Sequence, residues 1–513
     1  MKKNRWLIGM AATLLIGLLA NRADQPRRVT GGLISGSRSA DGQIQVFRGI
    51  PFAAPPVGAL RWQAPQPVRP WQGVRACTAF SASPMQAVPA PFGPWSAEYL
   101  IPKTPISEDC LYLNVWTGAT KPAEKRPVLV WIYGGGFGSG GSACPIYDGE
   151  AMARRGIVFV SPNYRVGPFG FFAHPELTEE SGRQASGNYG LLDQQAALRW
   201  VRDNIAQFGG DPNNVTIAGQ SAGSMSVNCL VASPLSAGLF TKAIAESGAS
   251  FGRRALSLAA AEADGLTAMQ KLGATSLTDL RSRPAAEILQ KLNPARGPII
   301  DGYVLPQAVP DLFRAGRQNR VTLLTGWNEN EGLAGGPFKN AADFTAQINQ
   351  QYGAKAATLL RYYPAGTDAD AETAQRNLSR DQTFGQQNYT WATVASGQGQ
   401  PVYVYRFARN VPATGAYAAY GAFHTAEVPY AYDNLRFIDR SLRPLTPADE
   451  RLARQMADYW ANFIRTGNPN GRGLPEWPRF DNQSRRLLRL DTTLTAQPMP
   501  DAAALDFLSQ SLN

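Results

Sequence analysis

The chain has 513 residues, of which 44% are hydrophobic and 17% charged. This excludes a disordered or low-complexity protein and suits a large buried core. The formal charge of +11 is scattered along the chain rather than gathered into one stripe, which argues for a solvated basic surface and against a nucleic-acid footprint.

The first residues form a distinct pattern. Lys2, Lys3 and Arg5 precede an apolar run over 6–20, the pattern of an export signal. The run is short for a membrane span. Residues 1–23 are therefore read as an export signal, and 24–513 as a single catalytic domain with insertions. The expected location is periplasmic or secreted. Neither Leu18-Leu19-Ala20 nor Asn21-Arg22-Ala23 is a good cleavage site, so an uncleaved N-terminal anchor stays open as the alternative. No later segment resembles a transmembrane helix. Without residues 1–23, which carry four basic and no acidic side chains, the charge is about +7.

From residue 29 to 71 the sequence is rich in Gly and Pro. Ile44-Gln45-Val46-Phe47 alternates as a surface strand does. Pro51, Pro55, Pro56, Pro65, Pro67 and Pro70 forbid a long helix. Residues 77–110 read as a long irregular loop. Then the rhythm changes. Val128-Leu129-Val130-Trp131-Ile132 and Ile157-Val158-Phe159-Val160 are continuous apolar runs, the mark of buried parallel strands. Leu191, Leu198, Val201, Ile205 and Phe208 recur as the stripe of an amphipathic helix. That helix stops at Gly209-Gly210-Asp211-Pro212.

Val215-Thr216-Ile217-Ala218 is the next strand, and Gly219-Gln220-Ser221-Ala222-Gly223 follows it at once, opening a small-residue helix. Strand, sharp turn and helix around G-x-S-x-G make a nucleophile elbow. Beyond Ser247 the chain is helix-like and alanine-rich to about 292. Val321-Thr322-Leu323-Leu324-Thr325 is a strand, 338–398 a largely helical insertion, Val402-Tyr403-Val404-Tyr405 a strand, and 448–465 a helix. Strands alternating with helices predict an α/β fold with a large, mostly parallel sheet covered on both faces.

A serine hydroxyl needs a base, and the base needs an acid to orient it. In α/β-hydrolases the order is serine, acid, histidine. The chain holds two histidines, His174 and His424, and only His424 follows Ser221. His174 is read as structural. The acid should lie just past a strand, and both Glu329 and Glu331 follow the 321–325 strand. Asp301 and Asp311 lie near prolines and read as turn or cap residues. The backbone N–H of Ala222 and the run Gly134-Gly135-Gly136 after a buried strand are the natural donors to an oxyanion. With four cysteines, none in C-x-x-C, and two histidines, a zinc site is not expected, and the chemistry calls for no cofactor.

The chain resembles the type-B carboxylesterases, the family that includes the cholinesterases. The resemblance covers about 27–490 and rests on FRGIPFAAPPVGALRW at 47–62, SEDCLYLNV at 107–115, WIYGGGF at 131–137, the stretch from Gly187 to Gly223, GAFHTAEVPY at 421–430 and YWANFIRTGNPN at 459–470. It implies the α/β-hydrolase fold and cleavage of small-molecule esters. It implies Ser221 as nucleophile, His424 as base and Glu331 over Glu329 as acid. Gly135, Gly136 and Ala222 match the oxyanion donors, and Ser247 a supporting serine near the triad. Cys77 and Cys110 match the family's first disulfide. Cys144 and Cys229 have no clear partner, and Cys229 reads as a buried free thiol. Gln220 departs from the glutamate common at that position, keeping hydrogen-bonding capacity without the charge. The family's choline-binding tryptophan has no aligned counterpart in the 77–110 loop. Segments 92–99, 137–147 and 332–338 are candidate rims of the pocket.

Two rival readings keep the fold. One is the same machinery acting on amides, carbamates or lactones. The other is a non-catalytic adhesion or binding protein, which the complete triad and the glycine loop oppose.

Overall fold

The computed structural model describes residues 25–252, 255–292, 297–332 and 338–511. The segment read as an export signal, 1–23, lies outside them. Among the described residues no helix is long and apolar enough to cross a membrane.

The frame is an eleven-stranded sheet. Its strands in chain order are β1 (Ser37–Arg38), β2 (Gln45–Pro51), β3 (Tyr112–Thr117), β4 (Arg126–Ile132), β5 (Val158–Pro162), β6 (Gly210–Gln220), β7 (Lys242–Glu246), β8 (Thr322–Asn328), β9 (Val402–Phe407), β10 (Arg486–Leu490) and β11 (Thr495–Pro498). In space they run β11-β10-β9-β8-β7-β6-β4-β5-β3-β2-β1. All pairings from β5 through β10 are parallel, and antiparallel strands close both ends. The apolar runs map onto the interior strands because both faces of a parallel sheet are covered. Val128, Leu129, Val158, Ile217, Ile244 and Leu324 are all buried.

The predicted helix is α1 (Tyr189–Asn204), extended by a 3-10 turn at Ile205–Phe208 and ended by Gly209 at φ 74°. After the elbow comes α2 (Ala222–Ala232), buried on nearly every side. Three short helices, Leu258–Lys271, Leu277–Ser282 and Ala285–Lys291, fill the alanine-rich region. The insertion holds helices Ala341–Tyr352, Ala356–Tyr362 and Asp368–Arg380, a π-helical turn at Asp381–Gly385, and helix Gln386–Gly397. Pro447–Thr466 forms a strongly amphipathic helix whose Trp460 is fully buried against Trp477.

Two expectations need correction. The stretch at 44–47 is not a surface strand: Gln45, Val46 and Phe47 are all buried in β2. The polar Gln45 tolerates this because its amide oxygen accepts from Arg27 at 2.6 Å. The Cys77–Cys110 bridge is not formed, and all four cysteines are free buried thiols. The Cys77 thiol turns to the Gly49 carbonyl at 3.9 Å, whereas Cys110 lies beside the buried Arg165–Asp193 pair. Burial pushes both thiols up, Cys77 to about 11.

Candidate active site

The C-terminal ends of the parallel strands carry the site, as open α/β sheets lead one to expect. β6 delivers Ser221, β4 the glycine loop, β7 Ser247, β8 Glu331, and the loop beyond β9 His424.

Ser221 sits at φ 59° and ψ −125°, a conformation that L-residues rarely adopt. Its neighbours make the turn possible. A Cβ on Gly223 would lie 2.0 Å from the Ile132 carbonyl, and one on Gly219 would lie 2.5 Å from the Gly223 backbone. Strand β4, strand β6 and the start of α2 therefore meet at backbone contact. The Ser221 N–H donates to the Glu246 carbonyl at 2.9 Å, and Met225 N–H donates to the Ser221 carbonyl at 2.9 Å. These bonds hold the elbow while its hydroxyl faces the cavity, without a hydrogen-bond partner among the described residues.

The glycine loop packs on this elbow. A Cβ on Gly134 would lie 2.6 Å from the Gln220 carbonyl. Gln86 clamps the loop from outside, donating to the Gly140 carbonyl at 2.7 Å and accepting from its N–H at 2.8 Å. Gly167 N–H holds the Phe137 carbonyl at 2.6 Å. Among the described residues the amides of Gly135, Gly136 and Ala222 have no protein partner, and Ala222 heads a helix, where the dipole favours negative charge. Gly136, Ser221 and Ala222 line one cavity of about 1430 Å³.

Position alone leaves Glu329 and Glu331 open; the geometry separates them. Glu331 is buried, and its Oε2 lies 2.8 Å from His424 Nδ1. Its Oε1 accepts from Asn328 N–H at 2.7 Å. Glu329 points the other way, between Arg380 and Arg406, each at 3.2 Å. His424 is clamped on its faces. Phe384, from the π-helical turn, stacks on the imidazole at 4.3 Å and 14°, and Trp95 meets it edge-on at 6.3 Å. The amide nitrogen of Gln220 lies 3.2 Å from His424 Nε2 and 3.4 Å from Nδ1. His424 thus lies between Glu331, the cavity-lining Phe384 and Gln220, the residue before Ser221.

The remaining residues fall into place by contact. His174 caps the helix Pro175–Glu180, its Nδ1 accepting from Glu176 N–H at 3.2 Å. Asp301 accepts from Leu305 N–H at 2.9 Å in a turn, and burial pushes its carboxyl up to about 6. Asp311 pairs with Arg314 at the surface. Ser247 follows β7 at φ 53°, with its N–H on the Gly326 carbonyl. Cys229 lines the cavity as a buried free thiol.

Of the candidate rim residues, Phe137 lines the cavity and Trp95 touches His424. Phe92 is exposed and packs on Trp95, while Tyr99 and Tyr147 belong to the core. Residues 333–337 of the third rim segment lie outside the described ones. Sequence reasoning missed Phe384 and Asn388. Asn388 accepts from Gly248 N–H at 2.8 Å and donates to Thr325 at 2.7 Å, fixing the loop behind the elbow. No local motif marks either residue.

A mostly parallel sheet with helices on both faces, and a serine on a strained strand-to-helix turn, define an α/β-hydrolase. The profile of the carboxylesterase family matches residues 24–508. The chain is 37% identical to the fumonisin B1 esterase of Sphingopyxis macrogoltabida over 93% of its length and 89% of the relative's. It is 34% identical to the para-nitrobenzyl esterase of Bacillus subtilis over 90% and 94%, and 34% identical to the human cocaine esterase over 93% and 90%. The chain belongs to the type-B carboxylesterase family and is a carboxylic ester hydrolase.

Proposed function

We propose that the chain hydrolyses carboxylic esters through an acyl-enzyme on Ser221. The observation that carries this reading is the 2.8 Å contact between Glu331 Oε2 and His424 Nδ1 beside a serine held at φ 59°. His424 Nδ1–H donates a hydrogen bond to Glu331, which fixes the proton on Nδ1 and leaves the Nε2 lone pair as the base. Gln220 donates to that lone pair at rest, and exchange of this bond for the Ser221 hydroxyl accompanies substrate entry. The hydroxyl oxygen then attacks the ester carbonyl as His424 takes its proton. The tetrahedral oxyanion rests on the amides of Gly135, Gly136 and Ala222. Protonated His424 passes its proton to the leaving alcohol, and water repeats the sequence on the acyl-enzyme. Every step is acid–base and nucleophilic, so no cofactor is called for.

The cavity exceeds the roughly 300–1,000 Å³ usual for small-molecule sites and suits bulky esters. Phe137, Phe171, Phe172 and Phe251 give it apolar walls. The names of the relatives, a fumonisin B1, a para-nitrobenzyl and a cocaine esterase, agree with a roomy pocket. The chain is also proposed to be exported; an intact mass of the protein from culture fluid or periplasm, lacking about the first 23 residues, is the expected outcome.

The direct test is a fluorophosphonate probe. Ser221→Ala is expected to lose covalent labelling with its circular dichroism unchanged; labelling retained by the variant rejects the assignment.

A further inference from the structure

Behind the triad lies a second set of carboxylates that the reaction above does not use. Glu246 ends β7 and Glu427 follows His424 by three residues; both are fully buried, and so is Glu331 beside them. Three carboxylates therefore share one water-excluded region. Among the described residues neither Glu246 nor Glu427 has a guanidinium or ammonium partner. Their donors are neutral. Tyr432 Oη and Trp460 Nε1 donate to Glu246 Oε1 at 3.0 and 2.8 Å, and the Asn328 amide donates to Glu427 Oε2. Each carboxyl keeps one buried oxygen, Glu246 Oε2 and Glu427 Oε1, without a partner.

The sheet explains why they are close. Glu246, Gly326 and Tyr405 form one row across β7, β8 and β9. Side chains in such a row share a face, and Gly326 leaves its place to the Tyr405 ring, 2.4 Å from where a Cβ would stand. Among the described residues the buried hydroxyls of Tyr405 and of Ser247, the residue after Glu246, have no partners either. The titratable groups facing the two acids are Glu331, His424, Tyr405, Tyr432, Tyr147 and Tyr99. Only His424 among them carries positive charge, and only when protonated. Desolvation opposes three buried negative charges against one transient cation, which favours protons on two of the three acids. Glu331, paired to His424 and to Asn328 N–H, is the one placed to ionise.

We propose that Glu246 and Glu427 are neutral carboxylic acids at working pH, positioning residues that leave Glu331 the only charged carboxylate behind His424. The inference rests on the triad reading above. Burial supports it: it pushes Glu246 up to about 8, and it is the largest cause that pushes Glu427 well up, with the neighbouring carboxylates acting in the same direction wherever they are charged. Because these folded values lie above those of the unfolded chain, the folded protein keeps protons that the unfolded chain loses. The stabilising effect is complete below the unfolded carboxyl range near pH 4.5; that of Glu246 is lost as pH rises through about 8, and that of Glu427 is lost in the same direction as pH rises through its own raised value.

Infrared spectra of the full-length protein in H2O and D2O near neutral pH read protonated carboxyls directly and independently of activity. One C=O band is expected to vanish in Glu246→Gln and another in Glu427→Gln. A wild-type spectrum without protonated carboxyls overturns the proposal even if both variants fail to fold, and so do bands unchanged in both. In thermal unfolding each Gln variant is expected to gain on the wild type progressively from about pH 5 to 9; a constant gap contradicts it. The acid limb of kcat/KM is expected to stay within about 0.3 pH unit. A move down by about a unit or more, from loss of a negative charge near His424, means that the acids are ionised. Loss of Ser221 labelling with the infrared bands intact would fault neither acid, which keeps this test separate from that of the triad.

Discussion

At the scale of single residues, the site turns on which carboxylate meets the imidazole. Glu329 and Glu331 are two positions apart and both follow β8, yet one contacts His424 and the other two arginines. Glu331→Gln is expected to lower kcat by about a thousandfold or more, because the amide no longer holds the productive tautomer or the imidazolium. Glu329→Gln is expected to act mainly on stability, through the buried Arg380 and Arg406 it leaves short of charge. Equal losses of kcat in the two would contradict the assignment. A rate that stays flat down to about pH 4 would contradict a histidine base, whose protonation should extinguish activity on the acid side. Position after the strand could bring the choice only to a pair, and it was the family resemblance that favoured Glu331. Side-chain direction after a strand end depends on how the loop is anchored, here by Asn328 N–H on Glu331 and by Arg380 on Glu329.

At the scale of elements, the elbow works because three backbones touch. Gly223→Ala places a methyl 2.0 Å from the Ile132 carbonyl, where nothing flexible can give way. It is expected to cost about 3 kcal/mol or more and to yield little folded protein, as thermal unfolding would show; a variant as stable as the wild type would mean that β4 and α2 do not meet as described. The π-helical turn at Asp381–Gly385 is a second such device. Arg380 and Tyr363 both hold Asp381, so Phe384 is presented flat against His424. Phe384→Ala is expected to lower kcat more than it raises KM, and a pure KM effect would make Phe384 a substrate contact only. The elbow was legible in the sequence because its strand, turn and helix are contiguous. Phe384 was not, because its partner lies 40 residues away and its turn has no signature. Strand β2 misled for a related reason: alternation reports one covered face, and a buried Gln45 with its own hydrogen bonds looks like a surface residue.

At the scale of the whole molecule, the sheet collects residues from 134 to 427 at one end, and the helices after β7 and β8 wall a large cavity over them. The alternation of unbroken apolar runs with a helical stripe gave away the parallel sheet, since strands covered on both faces read as short continuous apolar runs. The cavity's shape was hidden, because its walls come from loops and helices far apart in sequence. With Cys77 and Cys110 both free thiols, no disulfide clips the loop between them. The proposed chemistry requires that a carbonyl carbon become bonded to Ser221 during turnover. Mixing the protein with an activated ester, quenching in acid within one turnover and measuring the intact mass tests this most directly. A mass raised by one acyl group is expected, mapped to the peptide that carries Ser221 and absent from Ser221→Ala. Steady turnover with no acyl adduct on that peptide would contradict it.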